Sequence, residues 1–123
     1  VSFFCGTFSE SSTGNKSVTG VGFQPSYLRF HLSSKSGASE TTVAHYSTGF
    51  TDGTRQKAHS ILADTTANDS KAYTNRCINH YARVGGVLTE VIVATFVSFD
   101  ADGFTLNFTA VDSTYDIHVE AFA

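Results

Sequence analysis

Five histidines, 31 serines and threonines, eleven acids and two cysteines are the side chains from which this chain could build a chemical site. Metal chemistry needs converging ligands, yet His31, His45, His59, His80 and His118 form no H-x-H or H-x-x-x-H pair. Their spacing gives zinc no support, and each imidazole reads as a solvent-facing or hydrogen-bonded structural group. A serine hydrolase needs its nucleophile on a strained strand-to-helix turn. No G-x-S-x-G elbow occurs, and no window reads as a helix that could follow one. Asp100 and Asp102 are close in sequence, but two carboxylates beside Gly103 more often initiate a turn than share a proton. The same Asp-x-Asp-Gly run opens like a calcium loop, without the third carboxylate or the distal bidentate Glu. Cys5 and Cys77 allow one bridge at most and show no C-x-x-C spacing. Buried free thiols are expected, because so aromatic a core needs no staple. The sequence thus points to no catalytic residue, no metal ligand and no cofactor.

Binding is the better-supplied chemistry. Tyr27, Tyr46, Tyr73, Tyr81 and Phe122 fall on polar parities or at element ends. An aromatic ring in such a place can stack on a sugar or anchor a protein contact. A sandwich with 16 aromatics also leaves some at its rim for no further reason. Three glycosylation sequons start at Asn15, Asn68 and Asn107. About one is expected by chance in so Ser/Thr-rich a chain, and a glycan at Asn107 would sit awkwardly in mid-strand.

The elements that must position these groups are strands. Apolar residues alternate with period two, are rich in Val, Thr, Phe and Tyr, and are punctuated by Gly, Asn, Asp and Ser. About eight strands are expected: 2–8, 26–33, 41–50, 54–62, 72–81, 87–99, 104–109 and 114–122. Residues 64–70 read as a polar loop. Asp52-Gly53 predicts a tight hairpin, Gly85-Gly86 a second turn, and Asp100 to Gly103 a third. Residues 87–99 are apolar at both parities, so this strand is expected to be central and covered on both sides, or to use its second face as an interface. Pro25 precedes a strand, where it removes no ladder bond. An antiparallel β-sandwich, with a jelly roll as one closure, follows as a single domain over residues 1–123.

Length and charge exclude several functions. At 123 residues and 13.2 kDa the chain is one ordinary domain, large enough for its own core. Eight basic against eleven acidic side chains leave a net charge of −3, so there is no electrostatic footprint for nucleic acid or an anionic membrane. The most apolar run, 91–97, is far shorter than the roughly 20 residues of a membrane helix. The stretch 1–8 has no basic region or small-residue cleavage site, so no signal peptide is read there.

Two segments resemble a known family. Val18-Thr19-Gly20-Val21-Gly22-Phe23-Gln24-Pro25 leads into a strand, and 97–108 (VSFDADGFTLNF) leads to a terminal one. With Ser47-Thr48-Gly49-Phe50 between them, they resemble a small all-β domain of virion structural proteins in tailed bacteriophages. The resemblance implies a particle component, either a capsid decoration (cement) subunit or part of the tail or its fibres, bound to major capsid or tail proteins. Such components usually form symmetric oligomers, and a trimer is favoured here. The expected function is therefore non-enzymatic and the expected location the virion. A carbohydrate-binding, lectin-like module that recognises host glycans is the alternative.

Overall fold

The computed structural model describes residues 2–33 and 44–123. Ten strands follow one another in these residues: β1 (Phe3–Glu10), β2 (Gly14–Val18), β3 (Tyr27–Leu32), β4 (Ala44–Thr51), β5 (Gln56–Ala63), β6 (Asn68–Tyr73), β7 (Ile78–Val84), β8 (Val87–Asp100), β9 (Gly103–Val111) and β10 (Tyr115–Phe122). They form two antiparallel sheets, a six-stranded one in the order β1-β10-β3-β4-β5-β6 and a four-stranded one in the order β2-β9-β8-β7. The sheets pack as a sandwich. At one end the chain alternates between sheets as in a jelly roll, with β10 laid between β1 and β3 and β9 beside β2. The other end departs from that pattern, because β3 to β6 continue as a meander within one sheet.

Two strands exceed the sequence expectation, and each has a physical reason. β2 and β6 are edge strands whose residues are almost all half or fully exposed, so no apolar alternation marks them. Residues 64–70 are therefore only partly a loop. Asp64 accepts the N–H groups of Thr66 and Ala67, both at 2.9 Å, and closes a tight turn from which β6 starts at Asn68. The stretch expected at 72–81 splits accordingly between the end of β6 and β7. Residues 41–43 of the expected strand 41–50 lie outside the described residues.

The inward parity of each strand builds the core. Leu28, Phe30, Phe104, Leu106, Phe108, Ile117 and Val119 are all buried. Phe30 and Phe104 meet edge to face at 5.9 Å, and Phe8 adds its edge to Phe104 at 5.8 Å. β8 lies between β9 and β7, and Val91 to Ala94 are buried at both parities. In its register with β9, Thr109 of β9 and Val97 of β8 are left unpaired, and the second of these bulges breaks the alternation of β8. The Phe96 N–H bonds the side-chain oxygen of Gln56 at 3.0 Å, a link from the hairpin end of the six-stranded sheet.

The segments 18–25 and 97–108 meet in space. Asp102 accepts the N–H of Gly20 at 3.0 Å and of Gly22 at 2.6 Å, while its own carbonyl accepts the N–H of Val21. Gly20 and Gly22 both have positive φ, which lets their two amides converge on one carboxylate. Gln24 reaches the carbonyl of Phe99, and Asp100 accepts the hydroxyls of Ser98 and Thr105, each at 2.7 Å. Both carboxylates of the Asp-x-Asp-Gly run are therefore engaged with the chain's own donors. Asp102→Ala is expected to lower stability by about 2 kcal/mol, the scale of amide bonds to a charged acceptor. Urea unfolding reads this directly, and an unmoved midpoint would show that the loop holds without the carboxylate.

Candidate functional site

The inward face of the six-stranded sheet is spent on the core, so its outward face is where a partner can be met. The register sets out what stands there. One row carries Phe3, Phe122 and Tyr27, the next Cys5, Glu120, Arg29, Phe50 and Lys57. A third carries Thr7, His118, His31, Thr48 and His59, and on the next pair Tyr46 stands opposite Ile61. Cross-strand partners of an antiparallel pair share a face, which is why residues distant in sequence line up.

The rings make a continuous strip. Phe3 and Phe122 lie 5.1 Å apart, Phe122 and Tyr27 5.8 Å, and Tyr27 stacks on Phe50 at 6.0 Å and 18°. Phe3 is 59% exposed, and farther along the face Ile61 and Tyr46 are 51% and 46% exposed. Beside the strip runs a polar chain. Arg29 pairs with Glu120 at 3.2 Å, Glu120 meets His31 Nε2 at 3.4 Å, and His31 Nδ1 bonds the Tyr46 hydroxyl at 3.2 Å. Thr7 and His118 are bonded at 2.9 Å. Exposed pairs of this kind orient side chains but add little stability. Tyr46 also forms the wall between two shallow concavities of about 490 and 530 Å³. One is lined by Cys5, His31, His118 and Glu120, the other by Thr48, His59, Ile61 and Ala72.

Three of the five aromatics singled out from sequence meet on this face: Tyr27, Phe122 and Tyr46. Tyr73 does not. Its ring carries the Arg76 guanidinium at 3.9 Å and its hydroxyl bonds Glu90, so it fastens the end of β6 to β7 and β8. Tyr81 must be corrected outright, being 1% exposed. It lies inside β7, where Ile78 to Tyr81 are all buried, and not at a strand end; the ring lies under Lys71 with its hydroxyl on the carbonyl of Ser60. The cysteines divide. Both are free, but only Cys77 is buried, where desolvation pushes its thiol up to about 12, while Cys5 is exposed on the outward face.

The one hydroxyl–imidazole contact between Ser and His in the described residues lies inside the sandwich. Ser47 on β4 bonds His80 Nδ1 on β7, and Ser60 and Asn79 complete the cluster. Ser47 and His80 are 1% and 2% exposed, so the pair is enclosed rather than presented to a substrate. Burial holds the His80 imidazole down at about 4, with His45 at 5.6 Å adding to the shift and Asp112 opposing it. Among the described residues no three His, Cys, Asp or Glu side chains converge as a metal site requires. The signal for this interior cluster was polar residues, Ser47 and Ser60, at core parity.

Comparison with protein-family models, curated proteins and solved structures finds no match to the chain.

Proposed function

We propose that the protein is a non-enzymatic structural component of a tailed-bacteriophage virion, a capsid decoration or a tail or fibre subunit that works through protein–protein contacts. The observation that carries this reading is the strip Phe3, Phe122, Tyr27 and Phe50 on a sheet face that no described element covers. Monomeric proteins seldom leave contiguous rings in water, and aromatic anchors inside a polar rim are how protein interfaces are built. Gly20, Gly22, Asp100 and Asp102 of the family-like segments support the same reading, since they hold those segments together and leave the face free for a partner. The test uses virions purified from a phage whose genome encodes the chain. The protein is expected among the virion proteins. The double variant Phe3→Ser, Tyr27→Ser is expected to be depleted from particles about tenfold or more, with its melting midpoint nearly unmoved, because these rings are outside the core. A chain absent from the particle would overturn the proposal.

The surroundings of Tyr46 favour a second reading, a lectin-like contact with host glycans. An exposed ring flanked by His31, Glu120 and Thr48 offers both a stacking surface and hydrogen-bonding groups for sugar hydroxyls. A glycan array probed with folded protein is expected to show signals that Tyr46→Ala removes. A blank array at high protein concentration would eliminate this reading.

A further inference from the structure

β1 closes one end of the six-stranded sheet, and among the described residues no strand pairs with its outer edge. The parity of that edge follows from one bond. Ala123 donates its N–H to the carbonyl of Ser2, so Ser2 and every second residue after it exchange bonds with β10. The N–H and C=O groups of Phe3, Cys5, Thr7 and Ser9 therefore point away from the sheet.

Open edges recruit other strands, and folds commonly blunt them with charge, bulges or short length. Three of the four edge strands are protected in this way. β2 has five residues with Lys16 at its centre, β6 carries Asp69 and Lys71, and β7 carries Arg83. β1 has eight residues, FFCGTFSE, with no bulge in its register and no charge before Glu10.

We propose that β1 pairs antiparallel with β1 of a second copy of this chain across a two-fold axis at Gly6, joining two six-stranded sheets into one. The strand is self-complementary about that residue. Phe4 and Phe8 stand equally far from Gly6 on the inward face, both half-buried against the core. The axis sets Phe4 of each copy across from Phe8 of the other, at a cross-strand separation of about 5 Å that lets rings cover one another. Cys5 then faces Thr7, Phe3 faces Ser9, and Glu10 faces Ser2, so no like charges oppose. Gly6 brings no side chain of its own to the axis, and the Phe4 ring lies over it in the space a Cβ would take. The aromatic strips of the two copies, each beginning at Phe3, end up on the same face of the joined sheet. This pairing stands independently of the particle reading, and its symmetry is two-fold where the sequence favoured a trimer.

Light scattering on the full chain at about 100 µM is expected to give twice 13.2 kDa. Thr7→Pro removes a donor from the outer edge and leaves the β1–β10 ladder intact, so it is expected to weaken association about tenfold or more. Its thermal melt confirms that the subunit remains folded. A second variant tests the register without depending on proline. Thr7→Cys places a thiol opposite Cys5 of the other copy, at a Cα separation near 5.5 Å that suits a disulfide. Mild oxidation is expected to yield a covalent dimer of this variant and none of the unsubstituted chain. Three results would each overturn the proposal: a monomer that never crosslinks, an oligomer indifferent to Thr7→Pro without a crosslink, or a Cys5–Cys5 dimer of the unsubstituted chain.

Discussion

Alanine at Gly103 or Gly49 is expected to cost about 3 kcal/mol or more each and to lower the melting midpoint by roughly 10 °C, although both changes add a single methyl group. At Gly103 the new Cβ would collide with the carbonyl oxygen of Val18 and stand 2.9 Å from its carbon. At Gly49 it would collide with the carbonyl oxygen of Cys77, 2.8 Å from that carbon and 3.0 Å from the carbonyl oxygen of Lys57. These obstacles are backbone, so no rotamer change relieves them, and β2 must leave β9 or β7 must lift from β4. That places both substitutions at the severe end of overpacking. Gly86→Ala is the matched control. Its φ of +82° carries a conformational penalty, but nothing lies within 4 Å of the added carbon, so a loss of only about 1 kcal/mol is expected. Melting curves of the three variants decide the matter, and losses at Gly49 and Gly103 no larger than at Gly86 would show that the neighbouring backbone moves aside at little cost.

Stability is expected to fall by about 3 kcal/mol between pH 6.5 and pH 4, because the fold refuses a proton to His80. The imidazole is held at about 4 by burial, whereas in the unfolded chain it titrates near its ordinary 6.5. Between those values the unfolded state binds more protons than the native one, so acid favours unfolding. The stability is fully present above pH 6.5 and is lost as pH falls to about 4. The groups facing His80 are the Ser47 hydroxyl, the His45 ring at 5.6 Å, the Tyr115 ring at 6.2 Å and, through space, Asp112. His45 is itself shifted down by burial, which adds to the slope in the same direction. Asp52 and Asp64, held at about 2 by their turn amides and by Arg55 and Arg83, lose their partners only in stronger acid. Urea midpoints at pH 7.5 and 4.5 measure the effect. His80→Gln is expected to be less stable at neutral pH and to flatten most of the slope. A variant as acid-sensitive as the parent would assign the effect to other groups.

Much of the sandwich was legible because its signals are local. Alternation in 26–33, 104–109 and 114–122 marks strands that are half in the core, and Asp52-Gly53 marks a hairpin whose Gly53 does take φ +89°. β6 stayed hidden for the opposite reason, since an edge strand exposed on both faces has no alternation to show. Tyr81 was misplaced because it closes the expected stretch 72–81, whereas it lies within β7, whose residues Ile78 to Tyr81 are buried at both parities by what the strand packs against. The buried residues of β4, Ser47, Gly49 and Thr51, held a clue of another kind: they are all small where a sandwich core calls for Leu or Phe. The reason lies across the interior, where β7 comes so near that the carbonyl of Cys77 fills the place of a side chain at Gly49.

By itself, then, the order of residues determined the all-β class, most strand positions, the turns and the identity of several rings that reach the surface. Tertiary structure alone decided which of them share a face. Tyr27, Phe50 and Phe122 are far apart along the chain and become one strip because β10 is inserted between β1 and β3, a long-range pairing that no local pattern encodes. The same insertion leaves β1 at the end of its sheet, with a row of backbone donors and acceptors turned outward.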